Sequence, residues 1–326
     1  MKAVVQDRYG APDVLELRDI DAPAVADGEV LVRVRAASVN AADWHFMRGL
    51  PYVMRVVGSG MGFGVSGPKG RVRGLDVSGV VEAAGPNARH LRPGDEVYGE
   101  GTGAFAELAS VSEAALAVKP ANLTFEEAAA MPVAAGTALH GLQAAGRIKP
   151  GQKVLILGAS GWVGTFAVQL AKAFGADVTA VCSTRHVDQA RSIGADRVID
   201  YTRDDFTRQA ARYDLIFNVA GARALADLRR ALTPSGTLVL SSGDGGSWFG
   251  PLGRMVAAVA VSPFVRQRLR PSAPKPSRES LDVLRELAER GAVAPVIDRS
   301  YPLSAAPEAI RYVEQGHAGG KVVLTV

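Results

Sequence analysis

The first third of the chain is dominated by short stretches in which apolar and polar residues alternate. Residues 29–35 read Glu-Val-Leu-Val-Arg-Val-Arg, and this alternation predicts a strand with one buried face. Further short strands are predicted at 77–84 and 96–98, with Gly-Pro and Pro-Gly turns between them. Many short strands separated by turns are typical of a compact barrel, so we expect one over residues 1 to about 122.

The period of the pattern changes near Leu123, where a helical region begins. Thr124 followed by Glu127 is a capping-box pattern, which predicts the start of a helix. Downstream, apolar strands are predicted at 153–157, 177–182, 197–199, 214–218 and 237–240. Helices are predicted at 162–174, from Val187 onward, and at 222–232. Strands that alternate with helices in this way indicate a parallel, doubly wound α/β sheet.

The last part of the chain is less regular at first. Residues 243–253 are rich in glycine and residues 271–276 in proline, and the pattern leaves open where a sixth strand lies between them. Helices are then predicted at 280–290 and 306–315, and a final strand at 321–325.

Composition and charge exclude several classes of protein. The 326 residues carry 37 basic and 33 acidic side chains, and the net charge of +4 is too small by itself to predict nucleic-acid binding. The single cysteine, Cys182, forms no internal disulfide. No run of about 18 apolar residues occurs, so we expect no stable membrane insertion. The start of the chain reads as a strand and not as a signal peptide, so the predicted location is the cytoplasm.

A glycine motif directly after the strand at 153–157 is the sharpest signal in the sequence. Three glycines recur at every third position and open the helix predicted at 162–174. Such glycines permit a tight turn and the close approach of a dinucleotide pyrophosphate, which the free N–H groups at the helix start would bind. The predicted phosphate-binding residues are Gly158, Ala159, Ser160, Gly161, Trp162, Val163 and Gly164.

The residues after the strand predicted at 177–182 indicate which nicotinamide cofactor binds. NAD sites usually carry Asp or Glu about 20 residues past the glycines, where the acid binds the ribose 2′-hydroxyl. Here that place reads Ser183-Thr184-Arg185, with no acid before Asp188. Hydroxyl and guanidinium groups suit a 2′-phosphate, so the predicted cofactor is NADPH. The alternative is that Arg185 is only a solvated surface charge.

Motifs along the whole chain carry a resemblance to one family. In chain order they are Asn40 and Asp43 followed by Gly49, Gly74-Leu-Asp-Val-Ser-Gly, Pro93-Gly-Asp-Glu-Val, Ala159-Ser-Gly-Trp-Val-Gly and Gly320-Lys-Val-Val. Each motif is weak alone, but their order and spacing together are specific. The chain resembles the medium-chain dehydrogenase/reductase superfamily, in its zinc-free quinone oxidoreductase branch.

The resemblance implies an architecture and further cofactor contacts. A GroES-like β-barrel catalytic domain would comprise residues 1–122 and 276–326, with a Rossmann NADP-binding domain, residues 123–275, inserted in it. In related NADP enzymes a Tyr after the third strand contacts the 2′-phosphate, and Tyr201 matches it. Residues at strand ends or in family motifs are also expected near the cofactor: Asn40, Thr137, Val219, Ala220, Ser241 and Lys321. Lys321 has the alternative of an exposed strand charge.

In the family that the chain resembles, the segment that starts at Asn40 lines the cleft, so the resemblance makes its residues the candidate catalytic residues. Asn40 is expected to contact the nicotinamide or ribose, and His45 to donate a hydrogen bond or a proton to the substrate. An equally weighted alternative makes His45 a packing or surface residue, and Asp43 is predicted to be a structural hydrogen-bond acceptor. Zinc-dependent relatives carry Cys or His in these first-domain motifs, which this chain lacks at the matching positions, so no metal is expected.

Without a metal, the site can act on a substrate mainly by positioning it and by hydrogen bonding to it. Positioning and hydrogen bonding suffice only for an acceptor that is already electrophilic, so we predict hydride transfer from NADPH to a quinone or to the C=C bond of an α,β-unsaturated carbonyl. The alternative is a catalytically silent nucleotide-binding sensor or scaffold, to which the apolar, arginine-containing stretch 248–270 gives support. The predicted partners are a small-molecule substrate and no nucleic acid, and a homodimer is left open.

Overall fold

The computed structural model describes residues 1–58, 62–208, 212–221, 223–241, 246–249, 252–316 and 318–326. The chain divides into two compact units. The first consists of residues 1–134, 276–291 and 295–326, and the second of residues 135–275 and 292–294.

The elements of both units are numbered in chain order. The strands are β1 (Lys2–Gln6), β2 (Leu15–Asp19), β3 (Glu29–Val39), β4 (Asp76–Ala84), β5 (Glu96–Glu100), β6 (Leu108–Ser112), β7 (Leu116–Val118), β8 (Lys153–Leu157), β9 (Asp177–Cys182), β10 (Arg197–Asp200), β11 (Tyr213–Asn218), β12 (Leu232–Leu240), β13 (Arg268–Pro271), β14 (Ile297–Pro302) and β15 (Lys321–Thr325). The α-helices are α1 (Ala41–Arg48), α2 (Met54–Val57), α3 (Phe125–Ala129), α4 (Pro132–His140), α5 (Trp162–Ala173), α6 (Val187–Ser192), α7 (Leu225–Ala231), α8 (Gly246–Phe249), α9 (Leu252–Val261), α10 (Arg278–Glu289) and α11 (Ala306–Glu314). A π-helix, Gly141–Ala145, follows α4 directly.

The first unit is built mainly from antiparallel strands. A seven-stranded sheet has the order β14-β15-β3-β4-β5-β7 with β6 paired to β3, and β1 and β2 form a separate two-stranded sheet. The alternation predicted for β3 is confirmed, because Val30, Val32 and Val34 are buried while Arg33 and Arg35 are exposed. This sheet is the β-rich part of the chain that the sequence predicts.

The first unit ends later than the sequence predicts. The pattern placed its boundary at residue 122, where the helical region begins, but the unit extends to residue 134. The reason is the packing of α3, where Ala129 and Ala130 share a hydrophobic cluster with Ala36 of β3 and Val323 of β15. Local periodicity predicts a helix without saying which sheet it covers, so the sequence could place the start of α3 but not the unit to which it belongs.

The second unit is a doubly wound α/β sheet. Its six parallel strands have the order β10-β9-β8-β11-β12-β13, which is the 3-2-1-4-5-6 order of a Rossmann fold. The strands predicted at 153–157 and 177–182 are confirmed in full. β13 is the sixth strand, whose place the sequence left open, and its Leu269 packs in the hydrophobic core of the sheet.

One predicted helix of this unit is too long. The pattern placed it at 222–232, but α7 spans Leu225–Ala231, and residue 222 lies outside the described residues. Leu232 already begins β12, which is therefore longer than the predicted 237–240. The backbone on both sides of α7 gives the physical reason, because Ala224 and Leu232 have ψ angles of 142° and 154°, which are not helical.

The start of α3 is capped by side chains. The capping box predicted at Thr124 is confirmed, with the Glu127 N–H donating to Thr124 Oγ1 at 3.2 Å and the Thr124 N–H donating to the Glu127 carboxylate at 2.9 Å. Within the described part of the chain, every helix is too short or too polar to cross a lipid bilayer.

Candidate active site

The glycine motif lies in the turn that joins β8 to α5. Gly158 has a φ of +81°, and a Cβ on it would lie 2.4 Å from the Cβ of Ala220. A Cβ on Gly164 would lie 2.0 Å from the carbonyl oxygen of Gly158. Both distances are far inside van der Waals contact, so a side chain at Gly158 would collide with Ala220, and one at Gly164 would push the start of α5 away from the turn. The turn requires glycine, and it brings Ala220 beside Gly158.

The first turn of α5 has no side-chain cap. Its N-cap residue is Gly161, which offers no side-chain oxygen, and the Thr165 N–H donates to the Gly161 carbonyl at 2.9 Å. The N–H groups of Trp162, Val163 and Gly164 precede that bond at the start of the helix. Such N–H groups, together with the helix dipole, attract a phosphate. The turn therefore fits the pyrophosphate of a dinucleotide.

The other two residues of the motif hold the turn to the sheet. Ala159 is buried, and its N–H donates to the Val181 carbonyl of β9 at 3.0 Å. Ser160 follows it and is half-buried.

The residues predicted to bind a 2′-phosphate lie at the ends of β9 and β10. The two strands pair in parallel with Cys182 opposite Asp200, so the residues that follow them are neighbours. The Tyr201 N–H donates to the Cys182 carbonyl at 3.0 Å, and the Tyr201 side chain is 57% exposed. Ser183 is half-buried and Arg185 is exposed. One edge of the sheet thus presents a hydroxyl, a phenol and a guanidinium to solvent, and such groups suit a phosphate.

Sequence reasoning did not consider Asp200, which lies among these residues. Thr184 Oγ1 donates to its carboxylate, and Thr202 donates to it from both its hydroxyl, at 2.7 Å, and its N–H, at 3.0 Å. The bond from Thr184, followed by those from Thr202, lowers the pKa of the Asp200 carboxyl. The Thr184 hydroxyl already donates its proton to Asp200. The predicted contact of Thr184 with a phosphate stays a prediction. The available signal was a polar residue directly after a short apolar strand.

The remaining predicted cofactor residues of this unit are distributed over three elements. Val219 follows β11, and its N–H donates to the Leu157 carbonyl at 3.2 Å. Ser241 follows β12, and its N–H donates to the Asn218 carbonyl at 3.1 Å. Both lie at the carboxyl edge of the sheet, where Gly158 also lies and where such sheets bind ligands. Thr137 lies on α4 and is half-buried.

In the first unit, Asn40 joins β3 to α1 and is almost completely buried. Its Nδ2 donates to Asp76 Oδ2 at 2.9 Å, and its Oδ1 accepts from Lys321 Nζ at 2.7 Å. Its N–H donates to Asp43 Oδ2 at 2.7 Å, as in a capping box. Asp43 is therefore a structural acceptor here, in keeping with its predicted role. Both ends of the Asn40 amide are held by the protein, and this fixes the start of α1.

Lys321 and Asp76 form an ion pair inside this unit, and both side chains are 0% exposed. The three acceptors around Lys321 Nζ are Asp76 Oδ2 at 3.0 Å, Asn40 Oδ1 at 2.7 Å and the Val39 carbonyl at 3.4 Å. Asp76 also accepts from Ser38 Oγ at 2.5 Å. The exposed alternative for Lys321 is wrong. Its predicted contact with a cofactor stays a prediction, and its three ammonium hydrogens already have protein acceptors.

Two carboxyl groups near this pair have raised pKa values. Glu100 lies opposite Asp76 in the register of β4 and β5, and burial, reinforced by the Asp76 charge, raises its pKa to about 8. Burial likewise raises the pKa of Asp43 to about 7, against the hydrogen bond from Asn40. Glu100 was missed by sequence reasoning, because it carries no motif and only the strand register brings it to Asp76.

His45 lies on α1, in the turn after Asn40. Its ring stacks on the Trp44 ring with a centroid distance of 3.7 Å, and its Nδ1 is buried and lacks a hydrogen-bond partner. Burial lowers the pKa of His45, which favours the neutral imidazole. A neutral, partly buried ring with an unused polar atom is compatible with hydrogen bonding to a substrate, and the stacking is also compatible with the packing alternative. The role of His45 stays a prediction.

Potential metal-binding side chains do not cluster among the residues that the structure describes. These contain no group of three or more His, Cys, Asp or Glu side chains placed to hold a metal ion. Cys182 is buried, and burial raises its pKa to about 11, so the thiol is a poor metal ligand or nucleophile at neutral pH.

Comparison with known proteins follows the same two-part pattern. Residues 26–121 match the alcohol dehydrogenase GroES-like domain, and residues 193–324 match the family described as zinc-binding dehydrogenase. The chain belongs to the medium-chain dehydrogenase/reductase superfamily, as the sequence motifs predict. Its fold is a GroES-like domain combined with a parallel Rossmann sheet, which confirms the predicted fold class.

Individual relatives cover nearly the whole chain. The chain is 34% identical to the 2-methylene-furan-3-one reductase of Solanum lycopersicum, over 99% of this chain and 79% of the relative. It is also 34% identical to the chloroplastic NADPH-dependent alkenal/one oxidoreductase of Arabidopsis thaliana, with the same coverage. The solved quinone oxidoreductase of Coxiella burnetii has a TM-score of 0.85 and 28% identity, and the match covers 100% of this chain and 99% of that one.

Proposed function

We propose that the protein is an NADPH-dependent, zinc-independent oxidoreductase that transfers hydride to a quinone or to the C=C bond of an α,β-unsaturated carbonyl. The observation that carries the proposal is the Gly158–Gly164 turn, which has no room for a Cβ at either end and presents an uncapped helix start. That turn fits a dinucleotide. The names of the relatives, which refer to reduction of a methylene-furanone, of alkenals and enones, and of quinones, support the substrate class.

The second unit supplies the proposed cofactor site. The N–H groups at the start of α5 would bind the pyrophosphate, and Ser183, Arg185 and Tyr201 would bind the 2′-phosphate. Val219, Ala220 and Ser241 would line the carboxyl edge of the sheet under the nucleotide, and Thr137 would contact the nicotinamide side. Bound NADPH supplies the hydride.

The first unit supplies the proposed substrate contacts. During reduction of an enone or quinone, negative charge develops on the carbonyl oxygen, and a hydrogen-bond donor close to that oxygen stabilises it. We assign this donation to His45, since burial lowers its pKa and favours the neutral imidazole, which carries one N–H donor. Asn40 is assigned to positioning α1, and with it His45, since Lys321 and Asp76 hold the Asn40 side chain. Lys321 acts with it as a positioning residue.

Turnover with a defined panel tests the proposal. The chain, after exhaustive chelation, should oxidise NADPH in the presence of quinones and enones and show little activity on saturated alcohols. With NADPH deuterated at the transferred position and an enone, the label should appear at the β-carbon by NMR. Label at the carbonyl carbon would identify a carbonyl reductase instead, and loss of activity together with stoichiometric zinc would contradict the zinc-independent part.

The second candidate is a nucleotide-binding sensor or scaffold without turnover. Its support is the group of exposed apolar side chains in and around α8 and α9, namely Trp248, Phe249, Val256, Val259 and Phe264. Such exposed side chains often mark an interaction surface. NADPH binding with no turnover on the whole panel would favour this candidate. A cytoplasmic location and a homodimer stay predictions under either candidate.

A further inference from the structure

An arginine cluster at the edge of the six-stranded sheet has no part in the proposed reaction. Arg268 and Arg270 stand two positions apart on β13, which is the last strand of the sheet. They are exposed on the face opposite to that of the buried Leu269. Arg147 follows the π-helix and is also exposed. These three arginines line one cavity of about 220 Å³, which we call the arginine cavity; its other lining residues are His140, Ala144, Ala145, Gly146, Thr237 and Pro271.

The chain segments that build the arginine cavity contain no carboxylate. No Asp or Glu occurs between Glu127 and Asp177, nor between Asp244 and Glu279. The residues that line the cavity include no acidic side chain. Three guanidinium groups therefore share one space without a negative partner in the lining, and their mutual repulsion would be relieved by a bound anion.

The backbone that leads to Arg147 is irregular, but its N–H groups are hydrogen-bonded. The Gly146 N–H donates to the Gly141 carbonyl at 2.9 Å, and the Arg147 N–H donates to the Gln143 carbonyl at 3.0 Å, which closes the π-helix. Arg147 itself has a φ of +53°, in the left-handed region that a residue with a side chain rarely adopts. π-helical turns and left-handed residues occur disproportionately at functional sites.

Neutral polar groups complete the lining. His140 Nδ1 lies 2.9 Å from Ser272 Oγ, a contact that orients the imidazole and leaves its Nε2 unused by this bond. Thr237 lies opposite Arg268 in the register of β12 and β13. Hydroxyl, imidazole and guanidinium donors together match the several oxygens of a tetrahedral oxyanion.

We propose that the arginine cavity binds a phosphate group, either as inorganic phosphate or as the terminal phosphate of a monoester. Guanidinium groups bind phosphate through two parallel hydrogen bonds each, which gives both charge and geometric selectivity. The cavity is smaller than the roughly 300–1,000 Å³ of pockets for drug-sized ligands, so the phosphate enters it and the rest of a monoester stays outside. None of its lining residues belongs to the glycine turn or to residues 183–185.

The proposal is tested by calorimetric titration of the full chain with inorganic phosphate, with chloride holding the ionic strength constant. Arg147→Gly, Arg268→Gln and Arg270→Gln should each raise the Kd at least tenfold, which is the loss expected for a charge-assisted contact. Glycine is chosen at 147 because it tolerates the positive φ. Arg266→Gln is the matched control, since Arg266 is exposed just before β13 but outside the cavity, and its Kd should change less than twofold. Melting temperatures confirm that each variant is folded.

Three results would overturn the proposal. The first is no phosphate binding, and the second is binding that all three variants retain. The third is binding that Arg185→Asp or saturating NADPH abolishes, because the phosphate would then occupy the cofactor site. If the arginines only protect an edge strand, Arg268→Gln and Arg270→Gln would instead self-associate while the native chain binds no phosphate.

A second arm identifies the source of the phosphate. Vesicles of phosphatidylcholine with phosphatidic acid present a phosphate monoester at a lipid surface. Sedimentation of the chain with them, lost in the same three variants, would support the cavity and assign a lipid. Phosphate binding without sedimentation would support the cavity and assign a soluble ligand.

Discussion

Lys321 Nζ lies 3.0 Å from Asp76 Oδ2, and both side chains are completely buried. The ammonium comes from β15, near the end of the chain, and the carboxylate from β4. The pair is satisfied on both sides, since Asp76 accepts from Ser38, Asn40 and the Val133 N–H and Lys321 donates to Asn40. Burying an ion pair costs desolvation free energy. The pair can offset that cost only if its members are fully hydrogen-bonded.

Removing one member of this pair should destabilise the first unit strongly. Lys321→Met leaves Asp76 as an uncompensated buried charge, and we expect a loss of about 3–5 kcal/mol in urea unfolding. The control is Arg191→Met, because Arg191 pairs with Asp188 at 3.3 Å on the surface, with side chains 65% and 98% exposed. It should cost less than about 1 kcal/mol. Equal losses in the two variants would mean that burial of the pair has no special role.

The stability of the first unit should depend on pH through Glu100. Its folded pKa, about 8, is higher than its usual value, so the folded state holds the proton more tightly and the contribution to stability is complete at low pH. Stability should fall as the pH rises from about 5 to about 8. Glu100→Gln should flatten this decline and add about 1–2 kcal/mol at pH 8. Urea midpoints at several pH values measure it, with Glu286→Gln, an exposed site, as the control. A decline unchanged in Glu100→Gln would refute the assignment.

Gly164→Ala should weaken NADPH binding. The new Cβ would lie 2.0 Å from the Gly158 carbonyl oxygen, so α5 must move off the sheet and its N–H groups away from the pyrophosphate. We expect at least about a tenfold higher Kd in fluorescence titration, since several charge-assisted contacts shift together. Gly253→Ala is the matched control, because a Cβ there meets nothing within 4 Å. Unchanged affinity in Gly164→Ala would remove the glycine turn as the cofactor site.

Arg185→Asp should reverse the choice of cofactor. The carboxylate would repel a 2′-phosphate and accept from a ribose 2′-hydroxyl. We expect kcat/KM with NADPH to fall about 10–100-fold and NADH to become the better cofactor. Arg191→Asp makes the same charge change on α6 and should leave the preference intact. Equal kcat/KM of the native protein with NADPH and NADH would contradict the basis of this prediction.

His45→Ala should slow the reaction without affecting cofactor binding. If the imidazole donates to the carbonyl oxygen as charge develops, its loss should lower kcat on an enone about 10–100-fold, and the Kd for NADPH should stay the same. His45→Asn, which keeps a hydrogen-bond donor, should retain part of the rate. If His45 only packs against Trp44, both variants would lose stability and keep kcat.

Much of the fold can be derived from the sequence. Alternating residues predicted β3, apolar runs predicted β8 and β9, and the glycine spacing predicted the turn after β8, because each of these signals is local. The order of strands and helices then implied the parallel sheet of the second unit. The ends of α7 could not be predicted to the residue, because apolar spacing does not specify where a helix begins or ends.

The sequence by itself determined the kind of elements, the position of the glycine turn and the absence of an acid directly after β9. Tertiary structure alone decided which distant side chains meet. It placed Lys321 on Asp76 and Asn40, set Glu100 opposite Asp76, turned Thr184 toward Asp200 and gathered Arg147 with Arg268 and Arg270. These contacts join residues far apart in the chain, and they depend on strand register and burial, which local patterns of polarity do not specify.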